Sequence, residues 1–150
     1  MVEQDHIINK KVNHLLGHHV TNAARNMHRT LQQNFKKAGY AITAEQWIVL
    51  VWLFGKDGRT QQQLCDLTFK DKPGITRILG NLEAGRLITR IVDPNDGRTK
   101  RVFLTRECKK MEEHLLKIAE QTVAQATKGI PEKDVAFCRD VLNKIMNNLQ

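Results

Sequence analysis

The chain has 150 residues, of which 41% are hydrophobic and 27% charged, and a formal net charge of +8. A chain of this length suits one domain or one closely knit unit whose core needs no disulfides, and the positive charge asks for an anionic partner, nucleic acid or a membrane surface. No run of about 18 apolar residues occurs, MVEQDHIINKK lacks the apolar stretch of a signal peptide, and Cys65, Cys108 and Cys138 are few and scattered, so a cytoplasmic protein with reduced thiols is expected.

The first periodic segment covers 6–38. Ile8, Val12, Leu15, Leu16, Val20, Ala23, Met27, Leu31, Phe35 and Ala38 recur at steps of mostly three and four, which predicts a long helix with one apolar stripe, stopped by Gly39. Thr43-Ala-Glu-Gln46 is a capping box with Ile42 and Trp47 placed as a hydrophobic staple. The helix it opens, Trp47 to Phe54, is apolar nearly all round and is expected at the centre of the core. Gly55 to Arg59 reads as a turn.

Thr60-Gln-Gln-Gln63 is a second capping box, opening a short helix with Leu64, Cys65 and Leu67 inward. After a connection at 68–72, Pro73 fits the first position of another helix, with Ile75, Ile78, Leu79 and Leu82 inward and Gly85 closing it. Two β-runs follow, Leu87–Val92 and Lys100–Leu104, around the turn-rich Asp93-Pro-Asn-Asp-Gly-Arg-Thr99. Thr105 caps a fifth helix with Met111, Leu115, Ile118, Ala119, Val123 and Ala126 on one stripe. Gly129-Ile-Pro131 breaks it, and a last helix carries Val135, Cys138, Val141, Leu142, Ile145, Met146 and Leu149.

Charge is concentrated in the middle. Residues 59–110 carry a net +6, against +3 for 1–58 and −1 for 111–150, which marks a local footprint for a polyanion. That region holds a capped short helix, a turn, a second helix and a hairpin, the order of a winged helix-turn-helix. Only a helix or a two-stranded ribbon fits the major groove, and the second helix of such a unit enters it. Lys72, Thr76, Arg77 and Asn81 fall on that helix's outer face, with Thr60 and Gln61 at the start of the helix before it. Gly74 and Gly80 leave room for close approach. Arg98, with Lys100 and Arg101 beside it, is placed for a minor groove and flanking phosphates, and Asp96 is placed to orient the Arg98 guanidinium.

These residues resemble a known family. Leu64-Cys-Asp-Leu-Thr68, Asp71-Lys-Pro-Gly-Ile-Thr-Arg-Ile-Leu-Gly-Asn-Leu82 and Asp93-Pro-Asn-Asp-Gly-Arg-Thr-Lys-Arg-Val-Phe-Leu-Thr105 look like the MarR family of winged helix-turn-helix transcriptional regulators. Ile75-Thr-Arg-Ile-Leu79 resembles its recognition helix and Asp96-Gly-Arg98 its wing tip. The chain departs from the family at Cys108, where Gly is common, and at Pro73-Gly74, where small polar residues are usual. The resemblance implies a mainly α fold with a small β-wing. It implies a homodimer built on the first, fifth and sixth helices, straddling a palindromic operator as a ligand-responsive repressor. The expected division is 1–38 with 106–150 for dimerisation and 40–105 for DNA. It also implies an effector, small and aromatic, near Trp47 and Arg90.

Other features have plainer explanations beside their functional ones. His14 and His18 lie one turn apart, His19 is adjacent, and His114 with Glu113 offers further ligands, so a metal sensor is an alternative, though surface or interface histidines are the preferred account. Cys108, near a helix N-terminus and beside Arg106 and Lys109, is the candidate redox thiol, against an ordinary semi-buried cysteine. Cys65 and Cys138, on apolar faces, are expected in the core. No metal site or cofactor is assigned, no catalytic motif is found, and the chain reads as a binding protein rather than an enzyme. The other alternative is a winged helix that binds protein alone.

Overall fold

The computed structural model describes residues 15–150 together with Ile8 and Lys11. The remainder of the predicted 6–38 helix, with Val12 and His14, lies outside the described residues. Helix α1 spans Leu16–Lys37. It ends as predicted: Gly39 takes the left-handed conformation (φ 88°) and the Tyr40 N–H returns to the Phe35 carbonyl at 2.9 Å. Lys36 and Lys37 in the last turn complement the helix dipole.

Helix α2 spans Ala44–Gly55 and has the predicted capping box. Thr43 Oγ1 accepts from the Gln46 N–H at 3.2 Å, and the Gln46 side-chain oxygen accepts from the Thr43 N–H at 2.9 Å. Ala44, Trp47, Val49, Leu50 and Leu53 are buried, but Val51 and Trp52 are more than one-third exposed. The helix is therefore central on one side only. Trp52 instead closes the following turn, where its carbonyl accepts from Arg59 Nε and its ring lies under the Arg59 guanidinium.

That turn contains a strand the sequence pattern does not show. Strand β1, Arg59–Thr60, pairs antiparallel with Val102 and Arg101. Gly58 leads into it at φ 73°, and a Cβ there would lie 2.8 Å from the Phe103 ring, so both backbone and packing require glycine.

Helix α3 (Gln61–Thr68) opens on the Thr60 capping box and ends at Phe69, which adopts the left-handed conformation although it is not glycine. Helix α4 (Lys72–Ala84) begins one residue earlier than predicted. Asp71 is the N-cap, accepting from the Gly74 N–H at 2.9 Å, and Pro73 takes the second position, where its missing N–H is equally harmless. Gly74 matters to this cap, since a Cβ would stand 2.6 Å from Asp71 Oδ1. At the other end Gly85 is not the left-handed residue. Arg86 is (φ 58°), and the Leu87 N–H reaches the Leu82 carbonyl.

Strands β2 (Ile88–Asp93) and β3 (Asp96–Leu104) form the wing, with β3 central in a sheet of order β1-β3-β2. The strands continue further into the turn-rich segment than predicted. Asp93 faces Asp96 across Pro94-Asn95, while Val92 faces Lys100, so Gly97, Arg98 and Thr99 bulge from β3. Helix α5 (Arg106–Ala126) is capped by Thr105, which accepts from the Cys108 N–H and donates to the Arg86 carbonyl. Helix α6 spans Glu132–Asn148.

One core joins these elements. Phe35 from α1, Leu50 and Leu53 from α2, Leu64 from α3, the four inward residues of α4, Val102 from β3 and Leu115 from α5 pack together. Each such burial contributes about 1.5–3 kcal/mol. Helix α6 adds no buried residue. Cys138, expected in the core, is exposed, because only Val135, Val141 and Ile145 of the predicted α6 stripe are half-buried, while Cys138, Leu142, Met146 and Leu149 stay outside.

Candidate nucleic-acid interface

The α3–α4 pair is held by its polar side chains as well as by its core. Gln61 Nε2 donates to Thr76 Oγ1 at 2.6 Å, and the Thr76 hydroxyl donates to the Lys72 carbonyl at 2.8 Å. Since Ile75, Ile78, Leu79 and Leu82 point inward, Lys72, Thr76, Arg77 and Asn81 are all exposed on the opposite side of α4. A cleft of about 390 Å³ runs between this helix pair and the wing, lined by Thr60, Gln61, Lys72, Arg98, Thr99 and Lys100 among others. Five residues singled out from the sequence thus surround one cleft with three cationic side chains.

The wing is fixed from inside. Asp93, 7% exposed at its side chain, receives Arg101 Nε at 2.6 Å, and Arg101 Nη1 reaches the Gly58 carbonyl at 3.0 Å. Arg101 therefore ties β2, β3 and the β1 turn together, whereas Lys100 and Arg98 are exposed. Asp93 is held below the usual carboxylate range, first by the Asn95 N–H and then by Arg101. Asp96 does not hold the Arg98 guanidinium as expected. It accepts from the Arg98 backbone N–H at 3.0 Å and the Thr99 hydroxyl at 2.7 Å, so it shapes the bulge rather than the side chain.

Two residues went unnoticed in the sequence. Glu45 Oε1 accepts from Lys70 Nζ at 3.0 Å and its Oε2 from Arg77 Nη2 at 2.7 Å, linking α2 to the turn and to the exposed face of α4. In the sequence Glu45 is merely the third letter of a capping box, and Lys70 a loop lysine.

The residues expected near an effector have other partners. Trp47 is 8% exposed, its ring 5.2 Å from that of Phe35 and 6.3 Å from that of Phe54. Arg90 is paired with Glu83 of α4. Trp47 is thus core, and Arg90 fastens the wing to the recognition helix.

Cys108 is buried, with its thiol pushed up to about 11 by burial first, then by Asp57 and Glu112. The ordinary buried cysteine is therefore the better reading than the redox candidate, since burial disfavours the thiolate and Lys109 turns to Asp57 at 2.8 Å. A thiol in this state is protonated at neutral pH, so iodoacetamide should label Cys108 in native protein at least tenfold more slowly than after denaturation. Peptide mapping checks this, and equal rates would refute it. His18 bonds Asn22, His114 Nδ1 lies 2.7 Å from the Tyr40 hydroxyl, and among the described residues no group of three metal-ligating side chains occurs. No helix among them is long and apolar enough to cross a membrane.

A capped helix pair, an outward polar face on its second helix and a basic hairpin fastened beside it define a winged helix-turn-helix protein. Residues 42–99 match the model of the MarR family. The fold matches over far more of the chain. A probable transcriptional regulator from Pseudomonas aeruginosa shares 26% identity over 89% of this chain and 98% of its own, with a TM-score of 0.81. A MarR transcriptional regulator from Methanosarcina mazei Go1 shares 25% over 89% and 94%, with a TM-score of 0.78. BpsR of Bordetella bronchiseptica, whose DNA binding is regulated by 6-hydroxynicotinic acid, shows the same fold at 22% identity, covering 89% and 94%, with a TM-score of 0.80. The chain is thus similar to MarR-family transcriptional regulators, in sequence over residues 42–99 and in fold over about nine-tenths of its length.

Proposed function

We propose that the protein is a cytoplasmic homodimeric repressor that binds a palindromic operator and responds to a small effector. The cleft between α4 and the wing carries this reading, because its rim offers Lys72, Arg98 and Lys100 around the polar groups of Thr60 and Gln61. Lys72, Thr76, Arg77 and Asn81 meet the major groove. Arg98 and Lys100 meet the minor groove and its phosphates, with Arg101 and Asp96 holding the wing in shape. Residues 40–105 form the DNA-binding part, and 1–38 with 106–150 form the dimerisation part. An aromatic acid is a reasonable effector class to test, given the 6-hydroxynicotinic acid that regulates BpsR.

The test is selection of bound DNA fragments, followed by binding of wild type, Arg98→Ala and Arg77→Ala at two salt concentrations. Arg98→Ala should weaken many sequences alike and lower the salt slope by about one, since the minor-groove pattern is degenerate. Arg77→Ala should cost roughly 1–3 kcal/mol and relax preference at one base pair in each half-site. Half-sites should lie about one helical turn apart. Wild type that shows no salt-dependent binding to any fragment would favour a protein-binding module.

A further inference from the structure

Glu45 belongs to α2, outside the helix-turn-helix, yet the turn and the recognition helix both send a cation to it. Lys70 holds one carboxylate oxygen and Arg77 the other. The acid is itself fixed in place. It stands in the first turn of α2, where the helix dipole favours a negative charge, between the two members of the Thr43–Gln46 capping box. Its carboxyl is held below the usual range, by Arg77 first and Lys70 second. Arg77 therefore is not a freely swinging side chain. One of its donors is committed, while its side chain stays 60% exposed with the other donors available.

We propose that Glu45 is a positioning residue for DNA reading, anchored by Lys70, and that it aims the Arg77 guanidinium at a base edge and disfavours its capture by phosphate. This rests on the DNA-binding function proposed above. A long arginine loses rotamer freedom when it makes a two-bond contact, and an arginine already held loses less. The neighbouring carboxylate also repels a phosphate that would neutralise Arg77, because like charges are brought together. Freed from Glu45, Arg77 can follow the nearest phosphate, a contact without sequence information. The bridge thus exchanges general affinity for discrimination.

Four proteins decide the matter: wild type, Glu45→Gln, Arg77→Ala and the double variant. Each is bound to the selected operator, its single-base variants and random DNA at two salt concentrations, and melted thermally. Glu45→Gln should tighten binding to random DNA about tenfold and steepen the salt slope by about one for the released cation. The preference for operator over random DNA should fall about tenfold. In the Arg77→Ala background the same substitution should leave that preference unchanged, since no guanidinium remains to be aimed. If Glu45 merely ties α2 to the turn, Glu45→Gln lowers the melting temperature and weakens all DNA alike, which overturns the proposal. A preference unchanged by Glu45→Gln overturns it as well. Wild type that binds no DNA removes the DNA-binding reading and this inference together, whereas normal wild-type binding with an unmoved preference removes this inference alone.

Discussion

Protein ending at Ile130, without α6, is expected to be monomeric or aggregated at micromolar concentration and to bind operator DNA at least about a hundredfold more weakly. In its own chain α6 contributes no buried residue, and Phe137 and Leu149 are 69% and 82% exposed. On α1, Leu16, Val20 and Met27 are exposed too, as are Leu116 and Val123 on α5. Stripes of this length are not left to water on a stable soluble chain, and a two-fold axis lets identical stripes cover one another. A dimer presents two recognition helices to two half-sites at once, which multiplies affinity by about 10²–10⁴ over one. Sedimentation and a shift assay on the truncated chain check both parts. A well-behaved monomer of the full chain at micromolar concentration would refute the dimer.

Phe35→Ala is expected to destabilise the protein by about 3–5 kcal/mol, the range for a large aromatic removed from a closed core. Phe35 is the one buried residue of α1 and is fully enclosed, with its ring against Trp47. With the half-buried Leu31 it attaches α1 to the core, while Asn34 Nδ2 donating to Thr122 Oγ1 at 2.9 Å ties α1 to α5. A loss of this size is a large fraction of a typical stability of about 5–15 kcal/mol. Denaturant unfolding measures it, with Phe35→Leu as the milder control. A cost below about 1 kcal/mol would mean that α1 is held by something other than this contact.

Features with local causes were readable in the residues. Both capping boxes, the Thr105 cap and the inward faces of α4 depend on residues within one or two turns, and the helix order follows from them. The hairpin was readable from Asp93 to Thr99 because turn residues carry their own backbone preferences. Features that failed to appear depend on distant partners. Strand β1 has two residues and exists only because Val102 and Arg101 lie opposite. Cys108 looks activated beside Arg106 and Lys109, but Asp57, far back in the chain, takes the lysine while the core takes the thiol. Cys138 follows an apolar stripe faithfully, and a stripe states that something must cover it without saying what. At the candidate interface the exposed residues of α4 were legible from periodicity. The Glu45 bridge and the Arg101 tie were not, since no spacing rule connects an acid to a cation 32 or 8 residues away.

The short strand β1 also bears on the DNA-binding function proposed above. It leads directly into the Thr60 cap of α3 while pairing with β3, and Arg101 clamps the same junction to the base of the wing. Arg90 fastens the wing to α4 by a second route. Helix α4 and the wing are therefore braced against each other from two sides, and on the DNA-binding function proposed above they would act as two prongs of one gauge. When an operator's grooves depart from the spacing of these prongs, the duplex has to bend or untwist to fit, so its stiffness becomes part of its affinity even at base pairs no side chain touches.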